Sequence, residues 1–214
     1  MAAHPTRSSP LRGLYVILDP LVPGSKPLGE LLREAAAAGA RLFQYRNKTD
    51  SALIAYRQAL HLRQVAADEQ ALFIVNDRCD LALAVEADGV HLGQNDLPLP
   101  LARSLMGPDK LIGISTHREA DVQAAIAGGA DYLGFGPLFP TASKPDHEPV
   151  VGLEGLRRVR TLTRLPIFAI GGITVDNVAA VVEAGADGVA VISALAQASD
   201  VVATVRTFRS HFGR

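Results

Sequence analysis

The chain has 214 residues, 48% hydrophobic and 20% charged, enough to bury a substantial core as one globular domain and too few for more than two small ones. A formal net charge of −1 and a pI near 6.6 exclude an overall field that would draw the protein to nucleic acid or to an anionic membrane, so a polyanionic ligand has to be held locally. The single cysteine, Cys79, excludes an intramolecular disulfide and fits a reducing compartment, with the cytoplasm as the expected location.

Residues Met1 to Arg12 lack the apolar centre of a signal peptide, and no uninterrupted apolar run reaches membrane-spanning length. With His4, Pro5, Pro10 and two serines, residues 1–12 are expected to form a frayed tail preceding one domain over 13–214. Gly13 to Asp19 (GLYVILD) then reads as a strand, followed by Leu28, Leu31, Leu32, Ala35 and Ala36 at helical spacing. The alternation continues. Arg41 to Tyr45 leads into a helix from Ser51 to Ala67, Leu72 to Asn76 into Asp80 to Glu86, Gly89 to Leu92 into Pro98 to Met106, and Leu111 to Ser115 into Glu119 to Ala127. Tyr132 to Gly136 leads across a long loop into Leu153 to Leu162, Pro166 to Gly171 into Val175 to Glu183, and Gly188 to Ile192 into one helix from Ala194 to Phe212.

Those eight strand–helix units carry an internal echo. Ala38-Gly39-Ala40-Arg41-Leu42, Glu86-Ala87-Asp88-Gly89-Val90, Gly129-Ala130-Asp131-Tyr132-Leu133 and Gly185-Ala186-Asp187-Gly188-Val189 each read as a helix end, a small-residue turn and a strand start. Eight units with nearly continuous apolar strands predict an α/β fold, a single (β/α)8 TIM barrel, rather than a doubly wound sheet. The residues after the first strand, Asp19-Pro20-Leu21-Val22-Pro23-Gly24, are also not a dinucleotide-binding glycine fingerprint.

In such a barrel all strand carboxyl ends open on one mouth, so residues far apart in sequence can meet on one ligand. Gln44, Arg46 and Lys48 alternate at the end of the second strand, and a period of two puts an amide and two cations on one side of the chain. Asn76-Asp77 closes the third strand and Asp96 follows the fourth. Two carboxylates without histidine or cysteine at metal-ligand spacing favour Mg2+ over zinc, and the alternative is that each caps the helix that follows. Hydroxyls and Lys144 between prolines in Pro137 to Asp146 make a loop able to close on phosphate, or a stiffened surface loop without a ligand. Ala169-Ile170-Gly171-Gly172-Ile173 and Val191-Ile192-Ser193 end the seventh and eighth strands, where this architecture commonly binds phosphate through backbone N–H groups. Cys79 reads as a helix-face packing residue, His91 as part of the barrel wall, His117 as part of a helix start and His147 as exposed loop.

From about Leu14 to the C-terminal helix the chain resembles the thiamine-phosphate synthase (thiamine-phosphate pyrophosphorylase) family. The resemblance is carried by QYRNK at 44–48, NDRCDLALAVEADGVHLGQNDLP at 76–98, IGISTH at 112–117, FGPLFPTASK at 135–144 and AIGGI at 169–173. It implies a transferase that joins 4-amino-2-methyl-5-hydroxymethylpyrimidine diphosphate to a thiazole phosphate, releasing pyrophosphate. By the same resemblance Gln44 and Ser115 hold the aminopyrimidine, while Arg46, Lys48, Asn76 and Lys144 contact its diphosphate. Asp77 and Asp96 place Mg2+, the implied cofactor. Thr141, Ser143, Gly172 and the backbone around Ile192 and Ser193 receive the thiazole phosphate, and Tyr45, Asn47, Ala142 and Gly171 belong to the same binding stretches. Arg46, Lys48, Ser115 and Lys144 are the implied catalytic residues, and Ser143 departs from the threonine more usual in the family's loop. The partners implied are small molecules, with a homo-oligomer possible. Two other classes compete: a thiazole tautomerase, which needs an acid–base histidine but not the full cation and carboxylate set, and a non-catalytic sensor of phosphorylated ligands.

Overall fold

Strand sequences that are apolar at nearly every position, such as LYVIL at 14–18 and LFIV at 72–75, are stable only where both faces of the sheet are covered. The computed structural model, which describes residues 11–24, 26–141 and 149–213, gives them that environment. The strands β1 (Gly13–Leu18), β2 (Leu42–Tyr45), β3 (Leu72–Asn76), β4 (Gly89–Leu92), β5 (Leu111–Thr116), β6 (Tyr132–Phe135), β7 (Ile167–Ile170) and β8 (Gly188–Val191) pair in parallel in chain order, and β8 closes on β1. Around them lie α1 (Leu28–Ala37), α2 (Ala52–Asp68), α3 (Cys79–Ala84), α4 (Leu99–Met106), α5 (Glu119–Gly128), α6 (Gly152–Leu162), α7 (Val178–Glu183), α8 (Ser193–Ala196) and α9 (Val201–Ser210). The predicted (β/α)8 barrel is the fold observed.

Alternation along each strand sorts the core into two compartments. Leu14, Val16, Phe43, Phe73, Val90, Leu133, Ile167 and Val189 point outward into a shell with the helices. Tyr15, Ile17, Leu42, Ile74, Tyr132 and Phe168 fill the barrel interior. There Tyr15, Tyr132 and Phe168 pack edge to face, with ring centroids 5.3 to 5.9 Å apart, and plug the barrel below its mouth. Gly113 makes room for this plug, because a Cβ there would sit 2.1 Å from the Tyr132 ring and 2.5 Å from His91.

The echoed segments precede β2, β4, β6 and β8, so the repeat spans two strand–helix units. In three of the four, the aspartate accepts the amide of a residue near the start of the preceding strand: Phe73 N–H to Asp88, Ile112 N–H to Asp131 and Ile167 N–H to Asp187, each at 2.8 Å. An arginine from the helix before that same strand, α2, α4 or α6, faces each carboxylate: Arg63 at 3.8 Å, Arg103 at 2.5 Å and Arg160 at 2.6 Å. The fourth segment carries Arg41 instead, and there Arg209 donates to the Ala38 carbonyl at 2.9 Å. These contacts hold the amino-terminal ends of the strands together.

Two boundaries differ from expectation. The single helix predicted from Ala194 to Phe212 is broken into α8 and α9, because Asp200 accepts the Ala203 amide at 2.8 Å and starts a new helix. Of the segment expected to fray, residues 1–10 lie outside the described ones. Leu11, by contrast, is buried under the barrel, and Arg12 donates to the Phe212 carbonyl at 2.6 Å.

Candidate active site

The carboxyl ends of β2, β3 and β4 place cations and carboxylates side by side. The ladder continues one residue beyond two of these strands, with Arg46 N–H donating to the Leu18 carbonyl at 2.9 Å and Asp77 N–H to the His91 carbonyl at 2.8 Å. Both backbones are therefore anchored to the sheet. Gln44, Arg46 and Lys48 share one side, as their spacing predicts: Gln44 lies inside the barrel, Arg46 pairs with Asp19, and Lys48 Nζ reaches Asp77 at 2.6 Å. Tyr45 and Asn47 face the other way. The Tyr45 hydroxyl donates to Gln58 of α2 at 2.8 Å, and Asn47 holds the turn by accepting the amides of Thr49 and Asp50. Their side chains shape the scaffold behind the binding stretch.

Asp77 sits at φ +63°, a left-handed conformation that is uncommon for a residue other than glycine. Neither Asp77 nor Asp96 caps a helix: α3 starts after Arg78, α4 starts after Pro98, and Asp96 instead accepts the Gly93 amide at 2.6 Å. The helix-cap alternative is thereby excluded for both. Asp96 is close enough to act on the Asp77 carboxyl. Burial first, then the neighbouring Asp96, hold the Asp77 carboxyl above the usual carboxylate range, and Lys48 offsets this only in part. A site with this balance has room for further positive charge. Among the described residues no group of three or more histidine, cysteine, aspartate or glutamate side chains could hold a metal ion, so any cation here would take two protein carboxylates and complete its shell elsewhere. That is the usual manner of Mg2+, which keeps waters and substrate phosphate oxygens, and the residues present fit it. Asn76, half-buried at the end of β3, lies beside them.

Across the mouth, a cavity of about 360 Å3 is lined by Thr141, Gly171, Gly172, Ile192 and Ser193. Gly171 and Gly172 adopt φ +96° and +63°, and a Cβ on either would come within 2.4 or 2.6 Å of Pro137 or Pro140. Only glycine lets the loop after β6 lie this close. Asn177 fixes the arrangement by donating to the Gly172 carbonyl at 2.9 Å while accepting the Thr174 amide at 2.9 Å. Ala142, Ser143, Lys144 and His147 lie outside the described residues.

Below the mouth, Ser115 is bonded to His91, whose ring nitrogens meet Ser115 Oγ at 2.9 Å and the Tyr132 hydroxyl at 3.2 Å. His91 is thus a barrel-interior residue, yet it touches one of the predicted site residues. His117 bonds the Gly136 carbonyl through Nδ1 and Asp121 through its amide just before α5, and Cys79 packs in the core at the start of α3. Three residues of the site were not anticipated: Asp19, Asn177 and Tyr15, which binds Gln44 Nε2 at 2.7 Å. Asp19 had a signal available, since it is an acid at a strand's carboxyl end like Asp77. The other two had none, because their partners are distant or backbone groups.

The family described as thiamine monophosphate synthase matches residues 14–195. Thiamine-phosphate synthase of Moorella thermoacetica is 48% identical over 196 residues, covering 92% of this chain and 93% of the relative. That of Chloroflexus aurantiacus is 46% identical over 197 residues, covering 92% and 91%. The solved structure of thiamine phosphate pyrophosphorylase from Pyrococcus furiosus superposes with a TM-score of 0.84 at 42% identity, covering 94% of this chain and 95% of that one. The chain belongs to the thiamine monophosphate synthase family, whose members are transferases.

Proposed function

We propose that this enzyme transfers the 4-amino-2-methylpyrimidin-5-ylmethyl group from its diphosphate to the ring nitrogen of a phosphoethyl-thiazole or its carboxylated form, with Mg2+ as cofactor. The observation that carries this reading is the gathering of Arg46, Lys48, Asp77 and Asp96 at one mouth, opposite a glycine-lined cavity suited to a second phosphate. The small-molecule partners are the two phosphorylated heterocycles.

The set contains no obvious nucleophile, and the reaction needs none. The amino group on the pyrimidine donates electron density to the exocyclic methylene carbon, so its C–O bond can break first, the electron pair leaving with the diphosphate. The thiazole nitrogen then gives its lone pair to that carbon, and no proton has to move. Arg46, Lys48 and, in this reading, Lys144 present positive charge to the departing diphosphate before the bond breaks, so little reorganisation accompanies the charge transfer. Mg2+ held by Asp77 and Asp96 would add a charge that neutralises the diphosphate oxygens. Asp19, bonded to both Arg46 and the Leu21 amide, keeps Arg46 directed at the mouth. The walls must also bring the thiazole nitrogen to about 3 to 3.5 Å from the methylene carbon and exclude water, which would otherwise capture the cation.

The direct experiment supplies both substrates with Mg2+ and measures pyrophosphate and thiamine phosphate together. Equal amounts of the two are expected. A sensor would bind both substrates and release neither, and a tautomerase would turn over a thiazole without pyrophosphate; either result overturns this reading.

A further inference from the structure

At the end of β7 three successive carbonyls are each held by a donor. Leu138 N–H donates to Ile170 at 2.9 Å, Phe139 N–H to Gly171 at 3.1 Å and Asn177 Nδ2 to Gly172 at 2.9 Å. These peptides are trans, and a trans peptide points its C=O and N–H in opposite directions, so the amides of Gly171, Gly172 and Ile173 are turned away from those donors. Among the described residues none of the three amides has a hydrogen-bond partner. Gly171, Gly172 and Ile173 line the cavity of about 360 Å3, whereas Leu138, Phe139 and Asn177 lie outside its lining. Successive unpaired amides beside a cavity form a concavity suited to an anion.

The loop after β6 sets the first two amides, and a single side chain sets the third. Asn177 can bind in only one orientation, because the Gly172 carbonyl needs a donor and the Thr174 amide, 2.9 Å from Oδ1, needs an acceptor. Its side chain is therefore clamped across residues 172–174. Its backbone stands at the start of α7, which fixes where the clamp is applied. No described residue lining the cavity carries a charge, so the hold on an anion there depends on how well neutral donors are aimed. A hydrogen bond to an ionised group is roughly twice as strong as a neutral one, so one misdirected amide matters.

We infer that Asn177 is a positioning residue that turns the Ile173 amide into the cavity and thereby sets the preference for a phosphorylated over an unphosphorylated thiazole. The inference rests on the proposed function, which brings a phosphoethyl-thiazole to this mouth. Without Asn177 the Gly172–Ile173 peptide is free to rotate, and glycine at 172 makes that rotation easy. The Gly171 and Gly172 amides stay in place, since Leu138 and Phe139 still hold their carbonyl partners. The loss therefore falls on the anion, and an uncharged alcohol that does not need the amide is bound as before.

The test measures dissociation constants of 4-methyl-5-(2-phosphoethyl)thiazole and of the corresponding alcohol in wild type, Asn177→Ala and Asn177→Leu by calorimetry. The preference for the phosphorylated compound should fall at least about tenfold in both variants, with the alcohol bound as in wild type. A purely structural role would weaken both thiazoles alike. Inorganic phosphate titrated into labelled wild type should shift the amide NMR signals of Gly171, Gly172 and Ile173, and in Asn177→Ala the Ile173 shift should be lost while that of Gly171 persists. A folded variant that keeps the wild-type preference, or that weakens both thiazoles equally, overturns the inference. So does an Ile173 amide that phosphate leaves unmoved in wild type, a result that decides even if neither variant folds. If wild type makes no thiamine phosphate, the proposed reaction fails, while the two affinities and the amide shifts still decide the role of Asn177.

Discussion

The barrel's two ends treat their aspartates in opposite ways. At the amino-terminal end, Asp88, Asp131 and Asp187 each accept a strand amide and face an arginine, so every charge is answered within the fold. At the carboxyl end, Asp96 is close enough to act on Asp77, with Lys48 as partial compensation, and Asp77 is held in a left-handed backbone conformation. One end uses carboxylates to close the barrel, and the other leaves them only partly compensated among the described residues. Stability and function are thus separated along the barrel axis.

Substitutions at the two ends should separate the same way. The largest effect is expected from Asp77→Asn, which keeps the shape and tolerates the left-handed backbone but removes a charge: turnover should fall on the order of 10²- to 10³-fold, and the Mg2+ requirement should rise in a metal titration. Unaltered metal dependence would make Asp77 structural and erase the contrast. Asp19→Ala tests the boundary, because it leaves the largely buried Arg46 unpaired. It should cost about 3 kcal/mol in denaturant unfolding and also slow turnover. At the closed end, Asp131→Ala removes the acceptor for Ile112 N–H and Arg103, and should cost about 2 kcal/mol while the folded fraction keeps its kcat.

The smallest effect has the opposite sign. Since Asp77 binds its proton more tightly in the folded protein than in the unfolded chain, the ligand-free protein should lose stability as pH rises through the raised pKa and regain it as pH falls. Asp77→Asn should remove that slope and raise the metal-free Tm near neutral pH by roughly 1 to 3 °C, read by calorimetry. A lower Tm at neutral pH would mean that the Lys48 contact outweighs burial and repulsion.

The barrel was legible because its strands are apolar at nearly every position and end in polar clusters; all eight appear within a residue or so of the expected bounds. Gln44, Arg46 and Lys48 were legible for the same reason, as a period of two holds in any extended chain. Asp77 and Asp96 stayed ambiguous between metal ligand and helix cap, since an aspartate before a helix reads the same either way. The break at Asp200 was missed because Val201, Val205 and Phe208 continue a plausible apolar periodicity across it.

The sequence by itself determined the alternation of strand and helix, the repeated aspartate before β4, β6 and β8 and the strand ends at which charge collects, because each depends on residues near one another in the chain. Only closure of the barrel decided which charges meet: Asp19 with Arg46, Lys48 with Asp77, and Gln44 joined to Ser115 through two tyrosines and a histidine. Those pairings depend on strand order and register around a closed sheet, and no local periodicity encodes a distance across its interior.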